Sequence, residues 1–354
     1  MGRPPRRPDA APAAAVDRLT AARLASVSTY DAVKDLPVTI ESYELEPLER
    51  EVAQGFTLRR TVVVLRGGGE EGHGEDVDYD PYVQEQFQKR TAELPLVGQH
   101  TLDSYSLLQS GQTDYRRWGL ESAALDLALR QAGTSLGDAI GREQRPVHFV
   151  VSTRIANVLR WLDLYPGLRF KLDPDRTWTD ELVERLSGAG VVDTVDFKGI
   201  YRAAFGSPPD PELYARIAVA FPQAWIEDPA LTRDTLRALA EHRERVTWDA
   251  AIHEWSDVEA LPFRPRCLNC KPSRFGSVRR LFDFYDACER EGVALYGGGQ
   301  YELGPGRGQI QLLASLFHPD APNDVAPRGY NASEPLAGLP ESPLGLTAQA
   351  GFRG

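Results

Sequence analysis

Cysteine is scarce here, with three in 354 residues. Cys267 and Cys270 form a C-x-x-C, a spacing that invites a zinc or redox reading. On a strand, however, positions i and i+3 point to opposite faces, so the pair cannot chelate one ion. Cys288 falls in a helical pattern and reads as core. Long apolar runs are missing too, which excludes a bilayer-spanning helix. Positive charge is in deficit: 40 Lys plus Arg against 51 Asp plus Glu give a net charge of −11. That balance argues against a general nucleic-acid surface. The apolar piece Ala11–Val16, between Asp9 and Asp17, is too short for a signal-peptide core. A cytoplasmic protein is expected. Gly67-Gly68-Gly69 lacks a following helix with a Lys-Ser or Lys-Thr start, so it is a turn and not a phosphate loop.

What is present is a chain with an ordinary 42% hydrophobic fraction, long enough for two domains or for one barrel with additions. Residues 1–37, rich in Pro, Ala and Arg at the start, read as a disordered extension. Residues 38–145 read as an α+β domain. Its strands are Val38–Leu45, the β-branched run Thr61–Leu65, and one ending at Gly72–Asp76, with a loop at 46–56. Helical patterns follow at Tyr82–Leu94, His100–Gln109 and, most clearly, Leu120–Arg130 before Gly133. From 146 to 332, strand and helix patterns alternate, ending in a weak eighth strand at Asp324–Tyr330. Residues 333–354 form a Gly- and Pro-rich tail, expected to pack on the front domain.

Four of the alternating strands end in functional groups: Asp196 in Val195–Gly199, Glu227 in Trp225-Ile226-Glu227-Asp228-Pro229, Asp249 in Val246–Ala250, and Lys271 in Cys267–Pro272. The steps between them are 31, 22 and 22 residues, each fitting a strand, a helix and their loops. Parallel strands delivering such groups in turn predict an α/β fold, a (β/α) barrel with its site at the C-terminal rim. Side chains two apart share a face, so Lys171 joins Asp173 and Asp196 joins Lys198 inside the barrel. Three converging carboxylates, Asp196, Glu227 and Asp249, call for a cation, and hard oxygen ligands favour Mg²⁺. A lysine beside a metal that grips a carboxylate is equipment for removing the proton alpha to that carboxylate.

In order, these motifs resemble those of the enolase superfamily. Lys171, Asp196, Glu227, Asp249 and Lys271 match its muconate-lactonizing, dipeptide-epimerase and o-succinylbenzoate-synthase branch, as does Gly298-Gly299-Gln300-Tyr301-Glu302-Leu303-Gly304. Gly72–Glu75 and Glu121–Ala128 resemble its capping domain. The resemblance covers roughly residues 38–330. It implies a capping α+β domain over a modified TIM-type barrel, one Mg²⁺ per subunit on three ligands, an enolate intermediate, a small carboxylate substrate and common homo-oligomers. A Lys or His base working with Mg²⁺ is the general pattern of that superfamily, and the resemblance implies the same chemistry here.

Asp173 stands where that branch carries a second lysine, Lys198 where it carries asparagine, and Ala250 where it often has glutamate. The first two look like a reciprocal exchange, so an Asp173–Lys198 ion pair inside the barrel is expected. Lys198 would then be either a relocated base or an ammonium that weakens or replaces the metal. Losing the second lysine favours a lyase (β-elimination) or cycloisomerase with Lys271 as base. The alternatives are a two-base racemase or epimerase using Lys198, and a non-catalytic acid-binding barrel. Glu302 faces the site as a catalytic group or as an orienter of Lys271. Tyr201 and Arg202, on the long 199–210 loop, are substrate candidates, with His253 a third.

Overall fold

Alternating β-branched residues draw the front of the chain into antiparallel strands. The computed structural model describes residues 28–53, 56–90, 94–153, 155–201 and 206–353. Most of the expected N-terminal extension, and Arg202, lie outside them. Strands β1 (Pro37–Ile40), β2 (Ser42–Ala53), β3 (Phe56–Gly67), β4 (Glu70–Asp76) and β5 (Gly98–Thr101) make two small sheets, β1-β5 and β2-β3-β4. The loop expected at 46–56 is mostly strand. β2 runs through Pro47, tolerated because β2 is an edge, and Glu49 pairs with Arg59 across the hairpin at 2.9 Å. The expected extension also ends early: Tyr30 and Val33 are fully buried, and the Tyr30 hydroxyl bonds Asp103.

Helices α1 (Pro81–Gln88), α2 (Leu102–Leu108), α3 (Asp114–Gln131) and α4 (Leu136–Ile140) complete the front domain. α3 lies against β4, and two glycines make that approach possible. A Cβ at Gly74 would stand 2.0 Å from the Gly119 carbonyl oxygen, and one at Gly72 2.2 Å from that of Ala123.

The second part alternates as the pattern predicts. Strands β6 (Val151–Ser152), β7 (Phe170–Leu172), β8 (Val192–Asp196), β9 (Trp225–Glu227) and β10 (Val246–Thr247) form a parallel sheet in order; β11 (Cys267–Cys270) pairs with β12 (Ala294–Gly297). Between and after them come α5 (Ile155–Leu164), α6 (Asp180–Ala189), α7 (Pro211–Ala220), α8 (Arg233–Ala238), α9 (Trp255–Glu259), α10 (Val278–Glu291) and α11 (Gly306–Phe317). The Asn269 amide donates to Trp248 oxygen and so joins the two sheets.

The eighth strand is not at 324–330, where a 3-10 turn (Arg328–Asn331) follows Pro327. Only Asn323 and Asp324 bridge, to Phe149 and Gly298. The Asn323 side chain supplies much of what a strand would: its amide donates to the carbonyls of His148, His318 and Ala321, and its oxygen accepts from Gly297 N at 2.6 Å. All three cysteines are free and buried, and burial pushes the Cys267 and Cys270 thiols up to about 12. Among the described residues no helix is long and apolar enough to cross a membrane.

The last residues return to α3. Phe352 is fully buried, edge-on to Trp118 with ring centroids 6.1 Å apart, and Arg353 Nε meets Asp126 at 2.7 Å. Phe352→Ala should lower the unfolding free energy by about 3 kcal/mol in urea titrations. A variant as stable as the parent would show that this end adds nothing to the core.

Candidate active site

The barrel strands are short, so the groups that end them gather at one rim. There Lys171, Asp196 and Lys271 line a cavity of about 700 Å³ that Tyr79 and Tyr115 of the front domain help to wall. Lys171, on β7, lies at its floor and is almost sealed from solvent. Its Nζ is 2.5 Å from Glu227 Oε1, 3.4 Å from Asp196 and 3.9 Å from Asp324. Burial disfavours its charge, but Glu227, Asp196 and Asp324 together hold its pKa well above the usual lysine value. Glu227 is fastened further by the Tyr296 hydroxyl at 2.6 Å and by Asn269 Nδ2 at 3.3 Å.

Asp249 sits under a second cation group. Lys271 Nζ is 2.8 Å from one of its oxygens and Arg274 Nη1 2.7 Å from the other. The Tyr201 hydroxyl donates to it at 3.0 Å. Although burial opposes it, Arg274 and Lys271 hold this carboxyl well below the usual range. Behind it, Asp228 accepts the backbone N–H groups of Asp249 and Ala250 at 2.8 and 3.0 Å. Asp228 reaches them because its backbone is left-handed, φ 46°. Alternation alone would have sent its side chain away from the site.

Asp173 and Lys198 pair directly, as expected. The pair is not inside the barrel, however. Both residues lie just past their strands, at side-chain exposures of 47% and 37%, so the pair caps the rim. Lys198 adopts φ 50°, and its N–H donates to Asp196. The cations that touch the acid cluster are instead Lys171, Lys271 and Arg274. Glu302 accepts Gln300 N at 2.6 Å and faces Arg307 at 3.5 Å. His253 is turned away, its ring nitrogen 3.1 Å from the Arg274 carbonyl. Sequence reasoning missed Arg274 because it follows Lys271 in a 3-10 turn, where strand alternation carries no information. Tyr296, Asp324 and the two front-domain tyrosines were equally unmarked.

The donor set fits a small hard cation. Oxygens of Asp196, Glu227 and Asp228 lie within 4.8 Å of one another, all buried. Asn269 Oδ1, beside Glu227, is a buried acceptor with no partner among the described residues. Asp228 thus completes the closest trio of carboxylate oxygens, while Asp249, the expected third ligand, lies beside it, held by Lys271 and Arg274.

Several carboxyls are pushed the other way, Glu75 and Glu227 among them. Burial, then the charge of Glu302, raises Glu75 from 4.5 to about 7. Burial raises Glu227 to about 7, with Lys171 opposing. Between pH 4.5 and about 7 the folded, metal-free chain therefore keeps protons that the unfolded chain has released. Its stability should fall as pH rises through that window. Urea midpoints across it should show the decline, and Glu75→Gln should flatten it. An unchanged slope in that variant would place the protons elsewhere.

Residues 31–139 and 143–332 match the N-terminal and C-terminal domains of a family described as a domain of unknown function, DUF8230, and the chain belongs to that family. Among curated proteins it is 25% identical over 229 residues to the o-succinylbenzoate synthase of Bacillus subtilis (strain 168), covering 59% of this chain and 58% of that protein. It spans 58%, 65% and 60% of the lengths of the three curated relatives it matches. Muconate cycloisomerase from Pseudomonas fluorescens superposes with a TM-score of 0.66 at 18% identity, covering 89% of this chain and 96% of that one. A dipeptide epimerase from Methylococcus capsulatus, complexed with Mg ion, gives 0.63 at 20% identity, covering 80% and 89%. The expected fold, a capping domain and a modified barrel of the enolase-superfamily type, is borne out.

Proposed function

We propose that this DUF8230-family chain is an enzyme that removes the proton alpha to a carboxylate of a small substrate, with Lys271 as base and Mg²⁺ on Asp196, Glu227 and Asp249. The observation that carries the reading is the placing of Lys271. Its amine enters the cavity at the rim, 2.8 Å from Asp249, with Asp196 lining the same cavity and Glu227 buried behind Lys171. Asp228 is the less suited third ligand, because both of its oxygens already hold the backbone of Asp249 and Ala250. When bound, Mg²⁺ would offset negative charge on the substrate carboxylate and compete with Lys271 for Asp249. A dipeptide epimerase of this fold, complexed with Mg ion, supports the choice of metal.

The chain's own residues do the rest. Arg274 and Lys171 stay charged, because the acids beside each raise their pKa. They therefore keep fixed positive charge near the substrate as the alpha carbon loses its proton. Tyr79 and Tyr115 close the cavity from the front domain and reduce its water. Lys198, which also lines the cavity, is tied to Asp173 and does not present a free second base. A lyase or cycloisomerase reaction, needing proton abstraction on one face, is the better match. The second reading, a two-base epimerase, rests on Lys198 lining the cavity at all.

Solvent-deuterium exchange at the alpha carbon, measured over a panel of small carboxylic acids, separates these readings. Lys271→Ala should slow exchange by about 100-fold or more, the usual scale for a general base. Lys198→Asn should leave it within a few-fold. The reverse pattern would move the base to Lys198, and no exchange by the Mg²⁺-loaded parent would make the chain a binding protein. Calorimetric Mg²⁺ titration tests the ligands. Asp249→Asn should weaken binding about tenfold or more, the loss of one charged ligand contact, while Lys198→Asn should bind as the parent does. Undiminished binding by Asp249→Asn would assign the third place to Asp228.

A further inference from the structure

A second cleft, about 820 Å³, lies between the start of α11 and the returning residues 340–353. Three arginines line it, Arg307, Arg328 and Arg353, and no carboxylate does. In a chain of net charge −11 that is a local reversal of sign. Arg353 is engaged by Asp126. Arg328 is exposed, donates to the Leu303 carbonyl, and has no acid within ion-pair reach among the described residues. Arg307 is the informative one. It is 8% exposed, its Nε has no partner among the described residues, and Glu302, its one acid contact there, is 3.5 Å away. A buried donor left unmet is costly unless something arrives to accept from it. The helix end is not that attraction: Glu75 already accepts the N–H groups of Leu303, Gly304 and Gly306.

We propose that this cleft is a second site, which takes a small organic polyanion, a phosphate ester or a di- or tricarboxylate. Guanidinium forks match both oxyanion geometries, the volume suits a ligand of metabolite size, and Leu344 and Leu346 offer an apolar wall for its body. Arg307 also lines the catalytic cavity, so an occupant reaches the Arg307–Glu302 pair that borders it.

The test is calorimetry on the full metal-free chain with inorganic pyrophosphate and with citrate, at ionic strength fixed by KCl. One site per chain is expected for at least one probe, and the tighter probe names the class. Arg328→Glu should weaken it about tenfold or more, as expected on losing a charged hydrogen bond. Lys198→Asn, which alters only the catalytic cavity, should leave it unchanged. Arg328→Gln is the milder variant should Arg328→Glu shift the melting temperature. Binding lost in Lys198→Asn and kept in the Arg328 variants would move the anion to the catalytic cavity. Binding to neither probe, or no more than chloride gives, would mean that the cleft has no specific anion site. Either result overturns the proposal.

Discussion

Buried carboxylates at the ends of parallel strands repel one another, and this chain answers with its own cations. Lys171 lies between Glu227 and Asp196, while Lys271 and Arg274 share Asp249. Removing one partner from such a set leaves a buried charge uncompensated, which costs more than the pair itself contributes. The cluster therefore fixes where β7 to β11 end and which side chains line the cavity. A metal bound here would compete with the lysines for the same oxygens.

The rim pair works differently. Asp173 and Lys198 are half open to water, where an ion pair adds little stability. They satisfy each other, so the second amine that lines the cavity is held in an ion pair. The left-handed backbones at Lys198 and Asp228 mark the same region, two residues held where non-glycine chains rarely go. Such strain persists only where the surroundings hold it, and here Asp196 and the Asp249 backbone do so.

Much of this was legible from the chain. Period-two alternation and repeated spacing placed Asp196, Glu227, Asp249 and Lys271 on successive strands, and the exchange of Asp173 with Lys198 forecast their contact. What was hidden lay where periodicity stops. Asp228 is redirected by one backbone angle. Arg274 sits in a turn. The eighth strand is replaced by the side chain of Asn323, and no strand signal can announce a side chain doing backbone work. The strand through Pro47 was read as a loop, although an edge position makes that proline harmless. The depth of the rim pair depended on where β7 and β8 end, a matter of one or two residues that propensity does not resolve.

Glu75 belongs to the front domain, yet its carboxylate is the cap of a barrel helix, receiving the N–H groups of Leu303, Gly304 and Gly306. The two parts of the chain are thus not interchangeable modules. A chimera that grafted another front domain onto this barrel would leave the Gly306 N–H of α11, and the Leu303 and Gly304 N–H groups that lead into it, without this acceptor unless the donor carried an acid at the same point of its third long strand. Lineages that shuffle these domains must inherit that residue with the graft, and the pairing of front domain and barrel is constrained by one hydrogen-bond acceptor as much as by the fit of their surfaces.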